Sequence, residues 1–215
     1  IEDPVEFSMD GINQVNVNTK AGLTFASGLR SILRQDPDIV MLGEIRDYET
    51  AEIAIRAAIT GHLVLSTIHT NDAPSSIVRL KDMGVAPYLV SSALVGIIAQ
   101  RLIRKLCLHC REKYSASNYE KEILGVPKDQ ELTLYRKVGC NRCSNTGYKG
   151  RVGIYEIMEI NRELRELINE DASVENITNA ALRNGMKTLS KSAINVILKG
   201  NSTVEELLRV TLLGE

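Results

Sequence analysis

All four cysteines of the chain fall into two pairs with the same spacing, Cys107 with Cys110 and Cys140 with Cys143. Two residues between cysteines let both thiolates point into one corner of a tetrahedron, and two such corners complete a closed structural zinc site. Two disulfides or four unrelated buried thiols are the alternative interpretations. We interpret the pattern as a zinc site, because the surrounding stretch has few apolar residues to stabilise it otherwise. His109 is then a bystander, since four thiolates already fill the coordination shell.

A single glutamate follows an apolar run in the first part of the chain. Residues 39–42 predict a buried strand, and Glu44 lies at its carboxyl end, where ligands of open parallel sheets bind. In nucleoside triphosphatases an acid at this place holds magnesium, directly or through water, or orients the attacking water. The alternative is an acid that only caps the following helix.

Two of the three histidines bracket a second apolar run, which begins after His62 and ends before His69. Because side chains alternate along a strand, His62 and Ser66 share a face, while His69 lies at the carboxyl end, level with Glu44. There His69 could contact a terminal phosphate. The alternative for both histidines, and above all for His62, is a hydrogen-bonded side chain that supports the fold.

Three acids stand around Pro4 at the start of the chain: Glu2, Asp3 and Glu6. If Ile1 ends a strand at the same sheet edge, this loop brings a carboxylate near the phosphates as a candidate general base. The alternative is a solvated acidic turn.

The first hundred residues alternate short apolar runs with helical patterns, which predicts an α/β fold with a mostly parallel sheet and flanking helices. The runs at 39–42 and 62–68 are expected to be central strands buried on both faces. Thr50 is expected to cap the helix between them, and Gly61 to end it. Further expectations are helices over 23–34, 72–83 and from Pro87 toward Lys105, and an extended segment over 11–17.

From residue 107 to residue 150 the sequence is polar with poor apolar periodicity, which indicates an inserted zinc lobe. A returning strand is predicted over 151–157. Four short helices are predicted near 161–170, 173–184, 188–199 and 203–212, the last with a capping box at Thr203. The expected division is therefore 1–105, 106–150 and a helical C-terminal region within 151–215.

Composition excludes some function classes. The chain has 215 residues, 44% of them hydrophobic, and a formal net charge of -1. This charge gives no global argument for nucleic acid or an anionic membrane, and seven tyrosines and two phenylalanines leave few rings to stack bases. No apolar run approaches the roughly 18 residues that span a bilayer, so we expect a soluble protein. A start without methionine indicates that the sequence begins inside a longer protein.

Several segments together resemble the motor ATPases of secretion and pilus machineries. Residues 1–7 resemble the aspartate box of that family, 35–47 its Walker B segment, and 61–70 its histidine box. The resemblance continues through 99–102, both cysteine pairs and 146–151, and so covers essentially the whole chain. The cysteine pairs favour the ATPases of type II secretion or type IV pilus assembly over the retraction ATPases, which lack them.

The resemblance implies a partial RecA-like sheet and a set of roles. Glu44 is the Walker B glutamate, Glu6 the base that activates water, and His69 a phosphate sensor. Further nucleotide contacts are Glu2, Asp3, Arg46 and His62. It also implies ATP and magnesium as ligands and a hexameric assembly. The location implied is cytoplasmic, peripheral to the inner membrane and on its platform protein.

One departure limits the resemblance. A scan for Gly-x-x-x-x-Gly-Lys followed by Ser or Thr finds nothing, so the chain has no Walker A loop to cradle phosphates. We therefore expect the C-terminal half of a motor, inactive alone. A zinc-dependent interaction module is the second hypothesis, and a nucleic-acid binder the third and least favoured. One group of cations is interpreted as a solvated face: Arg101, Arg104, Lys105, Arg111 and Lys113.

Overall fold

The computed structural model describes residues 1–212, except for the side chain of Leu212. Its helices are α1 (Phe25–Leu33), α2 (Tyr48–Ile59), α3 (Ala73–Asp82), α4 (Pro87–Ala93), α5 (Asn118–Leu124), α6 (Arg162–Asn169), α7 (Val174–Arg183), α8 (Leu189–Leu198) and α9 (Val204–Leu212). Its strands are β1 (Ile39–Leu42), β2 (Leu63–Ser66), β3 (Gly96–Leu106), β4 (Glu112–Ser115), β5 (Thr133–Arg136) and β6 (Tyr148–Glu159). Among these helices, none has the length and apolar character that crossing a membrane demands.

The chain forms two compact units. Unit 1 contains Ile1–Ile97 and Met158–Gly185, and unit 2 contains Ile98–Ile157 and the described residues from Met186 onward. The helices α6 and α7 therefore belong to unit 1, whereas α8 and α9 belong to unit 2.

Unit 1 contains the predicted strand-helix-strand unit. Strands β1 and β2 pair in parallel, with Ile39 opposite Leu63, and α2 connects them. The helix is capped by Asp47, whose carboxylate accepts a hydrogen bond from the backbone N–H of Thr50 at 2.8 Å. The prediction that Thr50 is the cap is therefore wrong. Asp47 is the N-cap residue, because its carboxylate accepts the hydrogen bond from the Thr50 amide.

The two strands were predicted to be buried on both faces, but they are covered on one face only. Val40 and Leu42 lie in a core with Leu29 of α1 and Ala54 of α2. The opposite face stays 45–60% exposed at Ile39, Met41, Leu63 and Leu65. The prediction fails because the helices that enter this core, α1 and α2, cover only the face that carries Val40. An apolar run of four residues does not reveal how many faces its own chain covers.

Two further expectations differ from the structure. The helix from Pro87 ends at Ala93, and the residues expected to continue it form the strand β3, which pairs with β6. Two consecutive β-branched residues, Ile97 and Ile98, favour extended backbone there. Residues 11–17 form only a parallel bridge between Asn16 and Glu2.

Unit 2 has its own hydrophobic core. Ile103 of β3 is buried together with Leu124 and Leu134 of the cysteine lobe. Ile197 of α8 and Leu207 of α9 lie in the same cluster. The lobe and the last two helices therefore share one core.

A buried carboxylate connects β3 to α9 in unit 2. Glu206 is fully buried and accepts hydrogen bonds from the Arg104 side chain at 2.6 and 2.9 Å and from Arg209 at 3.0 and 3.1 Å. Burial alone raises the pKa of Glu206, but the bonds from Arg104 and Arg209 outweigh it and lower the pKa to about 2. Glu206 is therefore ionised near neutral pH and forms ion pairs with both arginines.

We expect Glu206→Gln to lower the free energy of unfolding by about 3 kcal/mol near neutral pH, because it leaves partly desolvated arginines without their charge partner. The depressed pKa means that the wild-type advantage is present above the ordinary carboxyl pKa of 4.5 and is lost as pH falls toward 2. Chemical denaturation at several pH values measures both effects. The control is Glu112→Gln, which breaks the exposed pair with Arg136 and should cost less than about 1 kcal/mol. Equal losses in the two variants would contradict the assignment.

Candidate functional site

The first site lies at the carboxyl end of β1. The Glu44 side chain is 15% exposed, and its Oε1 accepts a hydrogen bond from Arg46 at 2.5 Å. His69 Nε2 lies 3.4 Å from the other oxygen, Oε2, which is buried and has no hydrogen-bond donor among the described residues. The bond from Arg46 lowers the pKa of Glu44 against the opposing effect of burial, and the charges of Arg46 and His69 lower it further. The structure thus favours the ionised form of this carboxylate, with Arg46 beside one oxygen and His69 beside the other.

Backbone hydrogen bonds fix the residues on both sides of Glu44. Gly43 N donates to Ile1 O at 2.8 Å, and the amino group of Ile1 donates to Met41 O at 2.7 Å. On the other side, Ile45 N donates to Thr67 O at 3.0 Å, and Thr67 Oγ1 donates to Gly43 O at 2.5 Å. The start of the chain therefore runs beside β1, although Ile1 is not part of a strand.

Two of the three early acids lie near this edge. Glu2 accepts a hydrogen bond from Gln14 Nε2 at 3.0 Å, which turns its carboxylate toward the 4–14 loop. Asp3 is exposed and lines a cavity of about 300 Å³ together with Arg46. The same cavity is lined by Val17, Thr19, Thr24, Phe25, Ala26, Asp47, Glu49 and Thr50.

Neither Glu6 nor His62 contacts Glu44. Glu6 is exposed on the 4–14 loop and makes no hydrogen bond or ion pair with any described residue. His62 precedes β2, and its Nδ1 lies 3.0 Å from the carbonyl oxygen of Ala57, at the end of α2. That contact matches the supporting role that the sequence left open for His62.

The second site is the cysteine cluster in unit 2. The four ligand sulfurs lie within 4.8 Å of one another. The separations between Cys107 and Cys140, Cys110 and Cys143, and Cys140 and Cys143 are 4.0, 3.8 and 3.8 Å. A zinc ion with sulfurs at about 2.3 Å needs sulfur separations of about 3.8 Å, whereas a disulfide needs about 2.05 Å. The four cysteines are free thiols whose arrangement fits a tetrahedral metal ion.

Backbone amides of the lobe stabilise the thiolate form of Cys143, which is the form that binds a metal ion. Cys143 Sγ accepts hydrogen bonds from Cys140 N at 3.2 Å and Gly147 N at 3.3 Å. Burial raises the pKa of Cys143, but these bonds outweigh burial and lower it to about 6. Gly147 adopts a φ of +75°, and a Cβ there would lie 2.6 Å from Lys137 Cβ, so only glycine fits the turn. His109 contacts Arg142 at 2.9 Å and is not part of the cluster.

Comparison with known proteins identifies the family. A family model described as Type II/IV secretion system protein matches residues 1–209. The chain belongs to this family. Type II secretion system protein E of Pseudomonas aeruginosa is 50% identical over 211 residues, which are 98% of this chain and 42% of that protein. The type II secretion system ATPase E of Vibrio cholerae is 46% identical, with coverages of 98% and 42%. The type IV pilus assembly ATPase PilB of Myxococcus xanthus is 51% identical, with coverages of 96% and 37%.

Solved structures agree on the fold. A crystal structure of the pilus retraction motor PilT with bound ADP superposes with a TM-score of 0.69 at 29% identity, covering 97% of this chain and 50% of that chain. The Legionella pneumophila ATPase DotB gives 0.67 at 21% identity, covering 100% and 50%, and shows the fold alone. The chain is thus a member of an ATPase family. It spans about two fifths of the length of these curated relatives.

Sequence reasoning missed one residue of the first site. Thr67, between the apolar run and His69, bonds to both neighbours of Glu44. A hydroxyl residue at the carboxyl end of a predicted strand could have marked Thr67 as a candidate. Only the pairing of β1 with β2 shows which carbonyl its hydroxyl contacts.

Proposed function

We propose that this chain is the C-terminal half of a hexameric P-loop ATPase with a RecA-like core, which powers type II secretion or type IV pilus assembly by hydrolysing ATP. The observation that carries the proposal is the Glu44 carboxylate at the end of a parallel strand, with Arg46 at 2.5 Å and His69 at 3.4 Å. Its context supports it, because over 96–98% of its length the chain is 46% identical to a type II secretion system ATPase and 51% identical to a type IV pilus assembly ATPase.

In this proposal Glu44 is the Walker B glutamate. Its carboxylate suits a hard cation, because carboxylate oxygens are ligands that magnesium prefers. Magnesium would neutralise charge on the phosphates of ATP. His69, whose side chain is 89% exposed beside Glu44, would contact a terminal phosphate.

The proposal also assigns roles in ATP binding and hydrolysis to the remaining predicted residues. Arg46 orients Glu44 and, with Asp3, lines the cavity beside it. Glu6 is the general base that activates water, and Glu2 and His62 are further nucleotide contacts. The Glu2 carboxylate accepts from Gln14 Nε2, and His62 Nδ1 lies 3.0 Å from the Ala57 carbonyl oxygen.

We further propose three functional parts: 1–105 as the rest of the ATPase core, 106–150 as a zinc lobe, and 151–215 as the returning strand with the C-terminal helices. Zinc bound by Cys107, Cys110, Cys140 and Cys143 is structural. The protein works as a hexamer on an inner-membrane platform protein, at the cytoplasmic surface of that membrane and without nucleic acid.

Residues 1–215 alone are proposed to be inactive toward ATP. Phosphoryl transfer depends on positioning and on neutralising charge, and the Walker A amides and lysine that do this are missing from the sequence. Each carboxylate brought to about 4 Å from a phosphate charge without those cations adds roughly 4 kcal/mol of repulsion at an effective dielectric constant near 20.

The assignment of the base is tested by two variants of the longer protein that contains this chain. Glu6→Gln is expected to lower the turnover number for ATP by about 10²-fold or more, because it removes proton acceptance by the base. Glu2→Gln should have a milder effect, since the Gln14 amide can also hydrogen-bond to an amide. Steady-state phosphate release measures both. Equal losses would mean that the acidic loop acts collectively, and that the role of Glu6 is wrong.

A further inference from the structure

Thr67 holds the residues that flank Glu44 through two different groups. Its backbone carbonyl accepts from Ile45 N at 3.0 Å, and its hydroxyl donates to Gly43 O at 2.5 Å. One residue, directly after β2, therefore bonds to both neighbours of Glu44. Thr67 itself lies two residues before His69 along the chain.

The opposite side of Gly43 is fixed as well. Gly43 N donates to Ile1 O, and a Cβ at Gly43 would lie 3.3 Å from that oxygen. The amide of Gly43 is therefore held by Ile1, and its carbonyl is held by the Thr67 hydroxyl.

We infer that Thr67 is a positioning residue for ATP hydrolysis, which sets the direction of the Glu44 carboxylate through the carbonyl of Gly43 and aligns it with His69. This inference rests on the proposed function. Thr67 touches neither nucleotide nor metal in this account, and its effect passes through Glu44. Loss of the hydroxyl should therefore change turnover rather than nucleotide affinity.

The substitution Thr67→Val separates the hydroxyl from the rest of the residue. Valine keeps the β-branched shape, and the backbone bond from Ile45 N remains. Thr67→Ser restores the hydroxyl without the methyl group. Thr178→Val is the matched control, because the exposed Thr178 hydroxyl in α7 also donates to a backbone carbonyl, that of Val174, at 2.8 Å.

The test is steady-state ATP hydrolysis by the longer protein that contains this chain, with thermal unfolding of each variant. For Thr67→Val we expect kcat to fall by about 10- to 100-fold with KM unchanged, as expected when a catalytic group is misplaced by about 1 Å or less. Thr67→Ser should restore kcat to near the wild-type value, and Thr178→Val should match the wild type.

Three results would overturn the inference: a kcat for Thr67→Val equal to that of Thr178→Val, a loss confined to KM, or a Tm well below that of Thr178→Val, which would make the role structural. Failure of the proposed function looks different. In that case the wild-type protein does not hydrolyse ATP, or Glu44→Gln leaves its turnover unchanged.

Discussion

Glu44→Gln is expected to lower ATP turnover of the longer protein by about 10²-fold or more while leaving nucleotide binding nearly unchanged. The amide keeps the shape of the side chain and can still accept a hydrogen bond from Arg46. It removes the negative charge that the buried Oε2 would offer to magnesium or to the attacking water. In the proposed function, nucleotide affinity depends instead on a phosphate-binding loop, so the loss of this charge should affect turnover.

Phosphate release and a calorimetric nucleotide titration measure the two quantities separately. The matched control is Glu52→Gln in α2, which removes a glutamate that also pairs with an arginine, Arg56, at 2.8 Å. We expect its turnover to equal that of the wild type. Turnover of Glu44→Gln at the level of Glu52→Gln would remove Glu44 from the reaction, and a loss of nucleotide binding would make its role one of affinity.

Removal of the metal from the cysteine cluster should have the largest effect on stability. We expect about one zinc per chain, and binding of a structural zinc can contribute on the order of 10 kcal/mol to folding. Cys140→Ser leaves three thiolates and removes the sulfur that lies 4.0 Å from that of Cys107 and 3.8 Å from that of Cys143. Elemental analysis should find substoichiometric zinc in this variant.

Hydrogen exchange shows how far the loss extends. Because the lobe shares a core with α8 and α9, protection should fall in both, for example at Leu134 and Ile197. Unit 1 should keep its protection. Ser144→Ala, next to the cluster but not a ligand, is the control and should retain zinc. Wild-type protein without zinc, or full protection in Cys140→Ser, would contradict the metal assignment.

The sequence predicted the parts of this protein that depend on local spacing. The separation of Glu44 and His69 follows from two parallel strands of equal length, and the structure confirms that they are neighbours. The clustering of the four cysteines is confirmed in the same way. The Glu44–His69 pair and the cysteine cluster each depend on short segments in which a few residues set the backbone geometry.

The remaining features depend on contacts between distant segments. An apolar run such as 39–42 is the same in a strand covered on one face or on two, so the exposure of Ile39 and Met41 was not predictable. Residues 96–106 were expected to continue the helix from Pro87, and only the pairing with β6 shows that they form a strand. The Thr67 contact with Gly43 similarly requires the register of β1 against β2.

The most direct test of ATP hydrolysis by this protein is phosphate release at high protein concentration with ATP and magnesium, measured for residues 1–215 alone and for the longer protein that contains them. We predict turnover by the longer protein and none by residues 1–215, which have Glu44 and His69 but no Walker A loop. Absence of turnover in the longer protein would contradict the proposed function. Turnover by residues 1–215 that disappears in Glu44→Gln would contradict the claim that the site needs the other half.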